Sequence, residues 1–203
     1  MTKSFYFDSA SCSGCKACQV ACKDKHDLEV GRLWRRVYEI CGGGWMPKRQ
    51  AWENDVFAYH LSISCNHCAR PVCVEACPTG AMKKRADGIV SIDEGDCVGC
   101  GYCAMACPYD APQMNASTGT MTKCDFCSDE VAQAKPPACV AACPMRALES
   151  GGMEELEASH GATPAIFPLP DKKLTEPSLV ITPHADAHRA TDQNADVANR
   201  EEV

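Results

Sequence analysis

Hydrophobic and polar positions along this chain alternate only in short stretches, so every element they predict is short. Phe5–Asp8 reads as an opening strand, followed after a cysteine-rich stretch by a short helix ending near Lys25. Residues 28–64 read as an insertion: Arg32–Ile40, a glycine turn at Gly42, Gly43 and Gly44, and a strand over Val56–Ile63, together a hairpin and a loop. A turn at Asp87 and Gly88 leads into a strand over Ile89–Ile92. Beyond Ala147 the character changes. Gly151 and Gly152 punctuate, Met153–His160 predicts a short helix, and Pro164, Pro168, Pro170, Pro177 and Pro183 then exclude helix or central strand. Ile166, Phe167, Leu169, Leu174, Leu179, Val180 and Ile181 make that segment too apolar for a linker, and it is expected to be an extended arm lying on another protein. From about Ala187 the chain reads as a solvated tail.

The seventeen cysteines change this picture of small elements without a visible core. Cys12, Cys15, Cys18 and Cys22 read CxxCxxCxxxC, and Cys97, Cys100, Cys103 and Cys107 repeat it. Cys65, Cys68, Cys73 and Cys77 form a stretched variant. Cys124, Cys127, Cys139 and Cys143 keep the same two ends with eleven residues between them. Runs of this kind hold [4Fe–4S] clusters in bacterial ferredoxins, the fourth thiolate of each run ligating the other cluster of a pair, so four runs imply four clusters in two pairs. If each last pair of cysteines spans one helical turn, the two sulfurs share a face but are displaced along it, and the later one points at a neighbouring cluster. Pro78, Pro108 and Pro144 stop the turn behind the second, third and fourth runs.

Competing readings fit less well. Structural zinc needs two separated pairs closing one tetrahedron, and packed triplets leave thiols over. A disulfide framework belongs to secreted chains, whereas MTKSFYFDSA has no apolar h-region or cleavage site, and cysteines two residues apart are poorly placed to pair. A redox thiol motif needs a single CxxC. Cys41 stands alone and reads as a small hydrophobe. His160, His184 and His188 have no metal spacing and read as exposed polar residues.

Only 6% of the residues are aromatic, so the clusters are expected to act as folding nuclei and the metal-free chain to be poorly folded. The formal charge is −7; sixteen thiolates and four oxidised cluster cores would take it to about −15. That sign excludes nucleic acid. Lys83, Lys84 and Arg85, and the pair Arg35 and Arg36, read as solvated faces or local compensation for the clusters. No apolar stretch is long enough to span a bilayer, so membrane association would run through partners, on a side of the membrane the sequence does not specify.

The expected fold class is α+β: two nested ferredoxin-like two-[4Fe–4S] units with short helices and small antiparallel β-pairs, plus an extended proline-rich C-terminal arm. Residues 1–27 and 108–149 would form the outer unit, 28–64 an inserted hairpin and loop, 65–107 the inner unit, and 150–203 the arm and tail.

The order of the runs, the eleven-residue gap in the fourth, and the phrases FAYHLSISCNHC, CPYDAPQ and MTKCDFC resemble the iron–sulfur subunits of dimethyl sulfoxide reductases over nearly the whole chain. That resemblance implies a non-catalytic electron carrier. It would sit between a molybdopterin-containing catalytic subunit and an integral membrane subunit that oxidises quinol. It also implies the ligand sets: Cys12, Cys15, Cys18 and Cys143; Cys124, Cys127, Cys139 and Cys22; Cys65, Cys68, Cys73 and Cys107; Cys97, Cys100, Cys103 and Cys77. Related nitrate-reductase subunits carry tryptophan at the position of Cys100 and hold three irons there, so Cys100 implies four. Similar subunits serve polysulfide, thiosulfate, tetrathionate and selenate reductases and formate-linked complexes, and a free polyferredoxin is a further alternative.

Overall fold

The computed structural model describes residues 1–161, 166–192 and 195–203. The chain opens on β1 (Lys3–Asp8), whose Ser4 to Phe7 are buried. Asp8 ends it by accepting hydrogen bonds from the Ala10 and Ser11 amides. Lys16, in the left-handed region, turns the chain into α1 (Ala17–Lys25). Then β2 (Arg36–Gly42) leads through the exposed hairpin of β3 (Trp45–Lys48) and β4 (Ala51–Asn54) into β5 (Phe57–Ile63). The middle of the chain is built of α2 (Val72–Glu75), β6 (Met82–Lys84), β7 (Val90–Ile92) and α3 (Tyr102–Ala106). After it come β8 (Gln113–Asn115), β9 (Thr120–Thr122), α4 (Ser128–Ala132), α5 (Ala138–Ala141), β10 (Leu148–Gly152) and α6 (Met153–His160). After these come β11 (Leu179–Thr182), a helical turn at Arg189–Asp192, β12 (Asp196–Val197) and a closing 3-10 turn at Arg200–Glu202.

Short helices with mixed small sheets make this an α+β chain. In one sheet β1 is central, antiparallel to β10 and parallel to β11. In the other β2 lies between β5 and β12. Among the described residues there are also three two-stranded ladders. Both β10 and β11 return to the opening strand, which brings the fourth cysteine run onto the first. Phe5 and Phe7 of β1 meet Val37, Ile40, Leu61 and Ile63 of the other sheet, with Phe126 of the fourth run and several cysteines in the same apolar core.

Three expectations change. The segment ending at Ile181, expected to lie on another protein, folds onto its own chain. Ile166, Leu179, Val180 and Ile181 are buried there, while Leu174 stays exposed; Pro164 lies outside the described residues. Its prolines leave residues 178–182 free of proline, enough for an edge strand, the one place in a sheet that tolerates such neighbours. The expected solvated tail also packs: Ala187 and Ala190 are buried, and Val197 pairs with Ile40. Asn199 fixes it by bridging the Val37 carbonyl and the Glu39 amide. The third change concerns Arg35 and Arg36, which are not a solvated face but interior residues. Arg36 donates to the Tyr109 carbonyl. By contrast, Lys83 and Arg85 are exposed and paired with Asp93, Asp96 and Asp87.

Ile181→Ala tests the first change, because truncating a buried isoleucine costs about 2–5 kcal/mol. Anaerobic denaturant titration of the isolated, iron-loaded chain is expected to show that loss. An arm held by another protein would leave the stability of the isolated chain unchanged.

Candidate metal centre

None of the seventeen cysteines is joined in a disulfide, and sixteen of them lie in the four runs. Each run wraps through left-handed backbone. Gly14 and Lys16 flank Cys15, Gly99 and Gly101 flank Cys100, His67 lies in the second run, and Phe126 with Cys127 in the fourth. These residues turn successive thiols towards one centre, and glycine reaches that geometry without steric cost.

Cys12, Cys15, Cys18 and Cys143 line one small cavity, closed by Phe7, Val37, Ala147 and Leu148. Cys65, Cys68, Cys73 and Cys107 line a second, closed by Pro71, Val90, Tyr109 and Ala111. In both, three thiols come from one run and the fourth from a distant one. The other two groups are visible through mutual electrostatics. Cys22 lies beside Cys139 and Cys127, and Cys124 beside Cys22 and Cys139. Cys103 lies beside Cys100 and Cys77, with Cys97 packed into the same apolar cluster. On α1, Cys18 and Cys22 stand one turn apart: Cys18 lines the cavity with Cys12, Cys15 and Cys143 and is also near Cys139, while Cys22 lies beside Cys139 and Cys127. Cys41 sits apart on β2, opposite Ala58 and Asp196.

Burial dominates the chemistry of these thiols. It pushes Cys22 and Cys73 up to about 12, and Cys12, Cys68 and Cys127 up to about 11. Like charge between thiols of one group adds to the rise. Cys77 departs in the other direction. Its slight burial is outweighed by hydrogen bonds from the Met82 amide and from Thr79, and its thiol is lowered. Backbone amides also reach Cys97 and Cys124, from Met121 and Phe126 at 3.4 Å each. A set of buried thiols with amide donors aimed at sulfur suits a soft, cationic metal–sulfur centre.

Residues that the spacing did not flag support that fit. The Asn66 carboxamide nitrogen is buried without a partner and its residue lines the second cavity. A buried donor in that position costs free energy unless an acceptor occupies the cavity. Lys123 is buried on the same wall, donating to the carbonyls of Val90 and Cys124. His67, fully buried, accepts from the Val90 amide at 3.0 Å; burial, then Lys123, pushes it well below its usual range, so it is neutral. His26 stands 3.4 Å from the Cys127 sulfur and 3.8 Å from Asp125. The three have the chemistry of a ligand trio, but Cys127 already belongs to a thiol group, so His26 reads as its hydrogen-bond partner. Lys123 was findable from its place next to Cys124; His26 carried no sequence signal.

The 4Fe-4S dicluster domain family matches residues 56–153. The protein is similar to the probable anaerobic dimethyl sulfoxide reductase chain YnfG of Escherichia coli (strain K12), at 52% identity over 98% of this sequence and 97% of that one. It is similar to the B subunit of anaerobic dimethyl sulfoxide reductase from the same strain, at 51% over the same shares. The thiosulfate reductase electron transfer subunit PhsB of Salmonella typhi matches at 39% over 74% of this sequence and 76% of its own.

Proposed function

Because this protein belongs to the family of iron–sulfur subunits of anaerobic dimethyl sulfoxide reductases, we propose that it carries electrons from a membrane subunit that oxidises quinol to a molybdopterin subunit that reduces dimethyl sulfoxide. It is a non-catalytic electron-transfer subunit holding [4Fe–4S] clusters. The observation that carries the finer reading is the company of the remote thiols: Cys143 with Cys12, Cys15 and Cys18, and Cys107 with Cys65, Cys68 and Cys73.

On this reading four clusters are held by the four groups named above. Residues 1–27 with 108–149 make an outer unit around an inner one at 65–107. When bound, each cluster supplies storage for one electron. The polypeptide supplies their order. Cys73 and Cys77 link the inner two groups, Cys18 and Cys22 the outer two, and Cys65 beside Cys124 joins inner to outer. The groups then form a line, with the two exposed cysteines, Cys100 and Cys15, in its terminal members. Two-electron donor and two-electron acceptor are thereby connected one electron at a time. No helix among the described residues is long and apolar enough to cross a membrane, and association with the membrane would be through the partner subunits.

The higher identity to the dimethyl sulfoxide reductase subunits than to the thiosulfate reductase subunit favours the former substrate for the partner. Anaerobic purification of the tagged protein from host membranes tests both steps. Molybdenum in proportion to it, with quinol oxidation driven by dimethyl sulfoxide, is the expected result. Recovery of the protein alone and metal-loaded, without molybdenum, would favour a free carrier.

A further inference from the structure

Arg35 stands immediately before β2 and is 2% exposed. A buried guanidinium is costly unless an anion lies close by, and among the described residues no carboxylate pairs with it. Its hydrogen-bond partners are neutral: Ser62 Oγ at 3.1 Å and Ser64 Oγ at 3.0 Å accept from its two terminal nitrogens. Its Nε has no partner. The Phe5 ring, 4.7 Å from the guanidinium carbon, fixes it from one side. What surrounds the cation is sulfur: the thiols of Cys139, Cys18, Cys124 and Cys22. Neutral thiols do not offset a buried charge. A cluster held by four thiolates does, carrying about −2 oxidised and about −3 reduced.

We propose that Arg35 is the fixed countercharge of the cluster held by Cys22, Cys124, Cys127 and Cys139, and that its charge raises the reduction potential of that cluster. The proposal rests on the ligand assignment given above. Reduction adds one electron without making or breaking a bond, so the negative charge rises by one and a nearby cation stabilises the product. Ser62 extends the effect to the neighbouring group. It accepts from Arg35, which leaves its own proton free for the Cys18 sulfur, 3.4 Å away. The group of Cys77, Cys97, Cys100 and Cys103 provides a comparison within the chain. Lys83, which follows Met82, whose amide donates to the Cys77 sulfur, is exposed and paired with Asp93 and Asp96.

The test is an anaerobic redox titration of the complex in membranes, monitored by electron paramagnetic resonance. Arg35→Met and Arg35→Gln remove the charge, and Arg35→Lys keeps it. Cys139→Ser identifies the signal of the cluster in question. That signal is expected to shift in the neutral variants by roughly tenfold or more in the reduction equilibrium, about 59 mV downward for one electron. It should move much less in Arg35→Lys, and the signal of the Cys100 group should not move. Should the neutral variants fail to load this cluster while Arg35→Lys loads it at near its native potential, the countercharge role is also supported. An unchanged potential in loaded neutral variants overturns the proposal, as does an equal shift or equal loss in all three, because shape would then be the requirement. If Cys139→Ser leaves every signal in place, the ligand assignment fails instead.

Discussion

Stripped of iron by an anaerobic chelator, the chain is expected to lose its cooperative fold. The longest helix among the described residues, α1, has nine residues, and isolated helices of that length are marginal in water. Among the described residues, three of the five sheets are two-stranded ladders, which do not stand alone. Long-range closure depends on thiols from distant segments meeting, as Cys143 does with Cys12 and Cys22 with Cys139. Without metal the buried cations Arg35 and Lys123 would also lack an anion, and an uncompensated buried charge costs several kcal/mol. Metal binding in such a chain is folding free energy. Circular dichroism and hydrogen exchange check this: chelation should abolish protection across β10, β1 and β11. Retention of a cooperative unfolding transition by the iron-free chain would refute it. The pH dependence of any residual structure follows from the thiols. Burial raises Cys22 and Cys73 from 9.0 to about 12, so their contribution to an iron-free fold is present below pH 9 and is lost as pH rises towards 12.

The four cysteine runs were legible because metal ligation is written in local spacing, which also suggested that each fourth thiolate serves a neighbouring cluster; which runs partner one another was implied only by the family resemblance. Other features were not local. β8 and β9 are three residues each, too short for any alternation to register, and β10 reads LESGG, where glycines that signal a break lie paired with Ser4 and Lys3. The proline-rich segment showed what it could not form but not what it would cover. Ile181 needed a hydrophobic neighbour and found it on β1 of the same chain. Arg35 and Arg36 read as a solvated face or as local compensation for the clusters, and composition alone does not show that both are buried, Arg36 on the Tyr109 carbonyl. Local compensation for the clusters was the nearer reading for Arg35, whose surroundings are sulfur.

Cys124→Ser is expected to produce the largest functional loss of any single substitution in the chain. Cys124 is fully buried, with Cys22 and Cys139 of its own group and Cys65 of the next all close by. On the proposed ligand assignment it stands where the inner and outer groups join. Burial holds this thiol well above its usual range, so it serves as a ligand only with metal present to take the place of its proton. Serine keeps the shape but offers a hard oxygen to a soft metal–sulfur centre. Losing the cluster at this point opens a gap in the middle of the line, and electron transfer falls steeply with distance. Since even outer-shell changes cost 10–100-fold in metal sites, loss of this ligand should slow quinol-linked turnover by about 100-fold or more. Turnover with a small soluble reductant that reaches the catalytic partner directly should persist. Cys41→Ser is the matched control, since Cys41 lies on β2 away from every thiol group and should leave both rates unchanged. Quinol-linked turnover surviving in Cys124→Ser, or falling equally in Cys41→Ser, would show that electrons do not pass through this junction.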